Sequence, residues 1–159
     1  MSTPAKQKVP SLTPHLVCDD AAAAIDFYKR AFGAIEMVRL PGPDGKLMHA
    51  SIAIDGAPVM LVDSNPAWNA RSPKMLGGTP VSLHLYVADA DAAAARAVAA
   101  GAKTIMPVAD MFWGDRYGVV EDPFGHQWSI ATPQRELSAQ ELAAAATKAM
   151  AEMCPEAKG

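Results

Sequence analysis

Two stretches of the chain share one rhythm of apolar and polar positions. PHLVCDDAAAAIDFYKRAFGA (Pro14–Ala34) and LHLYVADADAAAARAVAAGA (Leu83–Ala102) each open with a short alternation, meet acidic residues, continue at helical spacing and stop at Gly-Ala. In the first, Ala21, Ala24, Ile25, Tyr28 and Phe32 fall on one helical face. Asp19 or Asp20 can cap its start, because a carboxylate accepts from the free N–H groups of the first turn. Gly33 supplies the left-handed residue that ends it. The second helix is expected over about Asp91 to Ala100, ending at Gly101. It is mostly alanine, so it can lie close to a sheet but buries little area per residue.

Strand-like runs follow each helix. The first half has about Ile35 to Leu40, Met48 to Ile54 and Val59 to Val62; the second has about Thr104 to Val108, Tyr117 to Glu121 and Gln127 to Ala131. Pro41 to Lys46 is a turn by composition, and Asp55-Gly56 suits a tight hairpin. Each half therefore reads β-α-β-β-β. His15 and His84 stand 69 positions apart, as do Gly56 and Gly125. One offset at two landmarks points to a duplicated module rather than a longer array. The expected organisation is α+β: a disordered N-terminus (1–10), a first βαβββ module (11–63), a Pro/Gly/Ser-rich linker (64–80), a second βαβββ module (81–133) and a helical tail (134–159). In the tail, Ser138 and Glu141 form a capping box, with Leu137 and Leu142 placed as a hydrophobic staple. A helix is expected from about Ala139 to about Glu152, its alanine-rich face packing on the body or on a second subunit.

Composition narrows the function. The net charge is −3, with no Lys/Arg cluster for a phosphate backbone, so nucleic acid is not an expected partner. No apolar run is long enough to span a membrane, and the first ten residues do not read as a secretory signal. Cys18 and Cys154 lie at opposite ends of the chain, unlike a disulfide framework, and a cytoplasmic protein with free thiols is expected. Nucleophile-elbow, P-loop, HExxH and CxxC motifs are all missing from the sequence.

The combination TPHLVCDDAAAAIDFYKRAFGA, GTPVSLHLYV and FWGDRYGVVEDPFGHQW, in that order, resembles the vicinal-oxygen-chelate superfamily. That group includes glyoxalase I, bleomycin-resistance proteins and extradiol dioxygenases, and the PhnB-like branch is the nearest match. The resemblance covers about Ser11 to Pro133. It implies two modules with curled sheets around a cleft, and a homodimer. In metal-dependent members, ligands stand on the first and last strand of each module. Carried over by motif position, those places fall on Thr13, Ser82, Ser129, and Met60 or Leu61. Hydroxyls and an apolar side chain do not replace the water shell of a divalent cation. The family's usual metal site is therefore expected to be absent, and no cofactor is expected.

Strand alternation supplies a different cleft lining. If Thr13 and Ser82 face the cleft, so do His15 and Val17, and His84 and Tyr86; Gln127, Ser129 and Ala131 share that face in the last strand. Leu16, Cys18, Leu83, Leu85, Trp128 and Ile130 then face the helices. Three readings of the His15/His84 pair stay open: ligand binding or acid–base work, a displaced metal site, or two structurally satisfied histidines. His49 and His126 follow turns and read as exposed or structural. In FWGDRYG, Phe112, Trp113 and Tyr117 either pack across a hairpin turned at Gly114-Asp115 or form a rim where Trp113 or Tyr117 contacts an organic ligand and Arg116 holds an anion. Asp122-Pro123-Phe124-Gly125 reads as a structural turn. The expected function is binding of a small organic molecule in a metal-independent cleft, with any reaction unassigned. The alternative is a metal-dependent lyase or dioxygenase using displaced ligands His15 and His84.

Overall fold

A computed structural model describes residues 10–154. The expected disordered N-terminus lies outside these residues, apart from Pro10. The first half contains β1 (His15–Cys18), α1 (Ala21–Phe32), β2 (Ile35–Pro41), β3 (Leu47–Ile54) and β4 (Ala57–Asp63). After a connecting segment with a short helix α2 (Pro73–Leu76), the second half repeats the order: β5 (Ser82–Tyr86), α3 (Ala90–Ala100), β6 (Lys103–Asp110), β7 (Asp115–Glu121) and β8 (Gln127–Pro133). Helix α4 (Ala139–Met153) closes the chain. The result is an α+β fold of two four-stranded sheets, ordered β1-β4-β3-β2 and β5-β8-β7-β6.

Each sheet closes the same way. The first strand pairs in parallel with the last strand of its own half, His15 opposite Met60 and His84 opposite Ser129. The remaining strands pair antiparallel. Local chemistry explains the helix ends. Asp20 accepts from the backbone N–H of Ala23, and Asp89 from that of Ala92. Gly33 ends α1 at φ +66°. Ser138 and Glu141 form the reciprocal capping box of α4.

A longer-range tie recurs in both halves. Buried Asp63, at the end of β4, accepts from Ala21 N–H at 2.8 Å and from Leu47 N–H at 2.6 Å. At the matching place in β8, Thr132 Oγ1 accepts from Ala90 N–H at 2.8 Å. Each side chain fastens the first turn of a helix to the strand beside it, satisfying a donor that the helix itself leaves free.

The halves meet through their helices. The Arg96 Nε–H donates to the Arg30 carbonyl at 2.7 Å, and Arg30 Nη1 to the Ala100 carbonyl at 3.0 Å. Apolar side chains from both halves, including Ile25, Phe27, Tyr28, Ile52, Leu61, Val120, Trp128 and Ile130, form one buried core. A buried carboxylate crosses it. Asp122 accepts from Tyr28 Oη at 2.5 Å, from Trp128 Nε1 at 2.9 Å and from the backbone N–H groups of Phe124 and His126. Burial and that carboxylate raise the Tyr28 phenol well above its ordinary pKa, which keeps it a donor.

The segment between the halves carries local structure: Asn65 and Ala70 form a β-bridge, and α2 follows. Helix α4 buries none of its residues against the chain, so its alanine-rich face does not pack on the body.

Candidate functional site

The strand registers sort the second sheet into two faces. Leu83, Trp128, Val120 and Thr104 share one, and it points into the core. Ser82, His84 and Tyr86 stand on the other with Gln127, Ser129, Val119 and Tyr117. This open face carries a continuous run of rings. His84 meets Tyr86 edge-on, with centroids 4.6 Å apart, and lies near-parallel to Tyr117 at 6.0 Å. Tyr117 meets Trp113 at 5.3 Å, and Trp113 meets Phe112 at 5.0 Å. The rings of FWGDRYG pack on one another at the hairpin, as the packing reading expects, and together they form a wall.

Hydrogen bonds fix the wall's orientation. His84 Nδ1 lies 2.7 Å from the buried Ser129 Oγ. Trp113 Nε1 donates to Asp115 Oδ2 at 3.2 Å. With Nδ1 engaged, Nε2 is the ring nitrogen of His84 left to face a ligand. Tyr86 and Trp113 also border a shallow basin of about 510 Å³ below the β8–α4 connection.

The first sheet presents a different surface. His15 pairs with Met60, Met60 with Ser51, Ser51 with Val38, and His49 with Leu40, so these side chains share its open face. Ile35, Val38 and Leu40 are exposed there. The rings of His15 and His49 stand edge-on at 6.2 Å. Partial burial and repulsion from His49 hold the His15 pKa below its ordinary value.

Within the chain, His15 and His84 line separate cavities. His15 borders one beneath the linker with His126. Ser82 and His84 border another of about 450 Å³ with Leu12, Pro14 and Trp128. Thr13 is half-buried just before β1, and Gln127 is half-buried between Ser82 and Glu121.

Arg116 is a correction. Strand alternation that turns Tyr117 to the open face turns Arg116 to the helix side, opposite Thr132 and Asp110. There its guanidinium grips Asp91 with two bonds, at 2.7 and 2.8 Å, and reaches Asp110 at 3.3 Å. These carboxylates raise its pKa further, and it is not available as a rim cation. The alternation that shows this was present in the sequence.

Buried Cys18 is no nucleophile: lost hydration and nearby carboxylates push its thiol pKa far up. His126 is buried and bridges the halves, its Nε2 donating to the Val17 carbonyl at 2.9 Å. Sequence reasoning missed that bridge and the cross-core role of Asp122, because both depend on contacts between halves.

The positions matching the family's metal ligands do not fit a divalent cation. The register places Met60 at the position matching Ser129, so the four side chains are Thr13, Met60, Ser82 and Ser129. Among the described residues, no three His, Cys, Asp or Glu side chains converge to replace them.

Fold and surface together define a paired βαβββ protein with an aromatic wall on the open face of its second sheet, anchored by the Ser129 hydroxyl. The chain belongs to the glyoxalase/bleomycin resistance protein/dioxygenase superfamily, whose model matches residues 9–130. It is 55% identical over 139 residues to the uncharacterized protein Rv0887c of Mycobacterium tuberculosis, covering 86% of this chain and 82% of that one. Among solved structures, TioX from Micromonospora sp. ML1 matches with a TM-score of 0.63 and 28% identity, covering 79% of this chain and 99% of that one. The At5g48480 product of Arabidopsis thaliana matches with a TM-score of 0.64 and 29% identity, covering 77% and 98%. No helix among the described residues is long and apolar enough to cross a membrane.

Proposed function

We propose that this protein binds a small planar organic molecule against the open face of its second sheet, without a metal ion at the family's position. The observation that carries the reading is the wall Tyr86–His84–Tyr117–Trp113, anchored by the His84–Ser129 hydrogen bond. Rings set edge-to-face and near-parallel give a flat partner stacking area at little entropic cost, and a fixed imidazole adds one directional polar contact. Ser82 and Gln127 add neutral polar groups rather than charge, which favours an uncharged or weakly polar ligand.

The reading includes a second copy of the chain. Ile35, Val38 and Leu40 expose a contiguous apolar strip beside His15, His49 and Met60, and such strips are covered in stable assemblies. A partner seated there can close a cleft that one chain leaves open. Whether a bound molecule is transformed rests on His84 Nε2, the one ring nitrogen of the wall not already engaged.

Trp113 fluorescence tests the reading. In a Trp68→Phe background, with Trp68→Phe/Trp113→Phe as the control for the remaining Trp128 signal, a panel of planar aromatic compounds is titrated with and without a strong chelator. At least one compound quenches the signal, chelation changes neither affinity nor Tm, and His84→Ala weakens binding about tenfold, as loss of a stacked, hydrogen-bonding ring predicts. A large chelator-induced drop in Tm, or unchanged affinity in His84→Ala, overturns it.

A further inference from the structure

The seam between the two halves holds a second set of binding groups, away from the aromatic wall. A cavity of about 260 Å³ lies beneath the linker, between β1 and β5. Aliphatic side chains of Leu16, Leu76, Val81 and Leu83 wall it, Arg71, His15 and His126 border it, and no carboxylate lines it.

Arg71 makes no ion pair among the described residues. Its backbone is nonetheless held on both sides. Ala70 is bridged to Asn65, and the buried Ser72 caps α2 by accepting from Met75 N–H. The linker is also seated against the second module: a Cβ on Gly125 would meet Pro73 Cβ at 2.9 Å, and Gly125 has φ +90°. An unpaired guanidinium thus stands at the mouth of an apolar cavity on a fixed stretch of chain.

His126 supplies the second group. A carbonyl only accepts, so the contact of Nε2 with Val17 O places the hydrogen on Nε2. That contact leaves Nδ1 as the second polar atom of the ring. No buried side-chain nitrogen or oxygen among the described residues lacks a partner. Nδ1, which makes no hydrogen bond there, is therefore not fully buried, and His126 borders the cavity.

We infer that this seam is a distinct binding site for a short branched aliphatic acid carrying a hydroxyl. The carboxylate pairs with Arg71, whose fork suits its two oxygens. The hydroxyl donates to His126 Nδ1, and the hydrocarbon lies among the leucines and Val81. The volume sits below the usual range for drug-sized ligands, which favours a small occupant. Phe, Tyr and Trp are missing from its lining, which separates this ligand class from the one proposed for the second sheet.

The test is amide NMR on the whole protein, titrated with 2-hydroxy- and 3-hydroxy-4-methylpentanoate. At least one acid shifts the amides of Val17, Arg71 and His126 saturably, while those of Trp113 and Tyr117 stay in place. Arg71→Gln, an exposed change that leaves the core untouched, weakens binding about tenfold, as loss of a charge-assisted contact predicts. 4-Methylpentanoate, which lacks the hydroxyl, binds several-fold more weakly than the better hydroxy acid. The site is refuted if neither acid shifts these amides at millimolar concentration, if Arg71→Gln binds like the wild type, or if the shifts centre on Trp113 and Tyr117. Its failure leaves the fluorescence result for the aromatic wall untouched.

Discussion

His15 and His84 occupy the same place in two copies of one module, yet their surroundings differ. Opposite His84 stands Ser129, which takes up Nδ1; opposite His15 stands Met60, whose thioether is only a weak acceptor. His84 gains Tyr86 and Tyr117 as ring neighbours, whereas His15 gains another imidazole, His49. Duplication set the backbone position, and the residue across the ladder decides what the imidazole can do. The ties that hold the copies differ in the same way. The second half contributes Asp122 to the shared core; the first has a two-residue Asp55-Gly56 turn in the corresponding hairpin.

The sharpest way to break this comparison is through those ties. Asp122→Ala strands two buried side-chain donors, Tyr28 Oη and Trp128 Nε1, and is expected to cost about 2–5 kcal/mol. Asp63→Ala, which frees two backbone donors, should cost about 2–3 kcal/mol, and Thr132→Val about 1 kcal/mol. Urea midpoints with unchanged m-values would give the order Asp122, Asp63, Thr132; equal losses at Asp63 and Thr132 would mean that the two copies are tied alike.

A smaller effect is expected from exchanging the partners. Ser129→Met gives His84 the neighbour that His15 has, and should weaken binding of a wall ligand several-fold by freeing the ring. Met60→Ser gives His15 a hydroxyl and should leave that affinity within about twofold, since a surface side chain is being changed. Equal effects from both exchanges would erase the distinction between the sites.

The smallest effect is in titration. The His15 midpoint by NMR should lie below 6.5 and move up in His49→Ala, though not fully, because burial is the larger cause. The sign follows from linkage: between the folded midpoint and 6.5 the unfolded chain binds more protons, so stability falls as pH drops through that window. A His15 midpoint above 6.5 would contradict this account.

Much of this architecture was legible in the chain. The helices were legible because Asp20, Gly33, Ser138 and Glu141 are local signals whose chemistry acts within one turn. The faces of β1, β5 and β8 followed from alternation, since Leu16, Leu83, Leu85, Trp128 and Ile130 alternate with His15, Ser82, His84, Gln127 and Ser129. The same rule, applied to Arg116 beside Tyr117, would have moved Arg116 off the rim. Asp122 reads locally as a turn residue, and nothing within its own turn announces that its other partner is a phenol in the first half. His126 hides for the same reason. Helix α4 divides the same way: its capping box is a local signal that makes the helix, while the surface its alanine-rich face meets is not local, and of the two expected surfaces the structure excludes the body.

The Tyr28–Asp122 contact spans 94 residues, about twice the 45 that separate His84 from Ser129. Synthesis proceeds from the N-terminus, at about 5–20 residues per second. The entire first sheet therefore leaves the ribosome several seconds before the carboxylate that will bind its tyrosine has been made. During that interval α1 carries a buried-type phenol with no acceptor, and Trp128, its other neighbour in the core, does not yet exist. Order of synthesis thus separates the two partners in time: the phenol comes first, and its acceptor follows only with the turn containing Asp122.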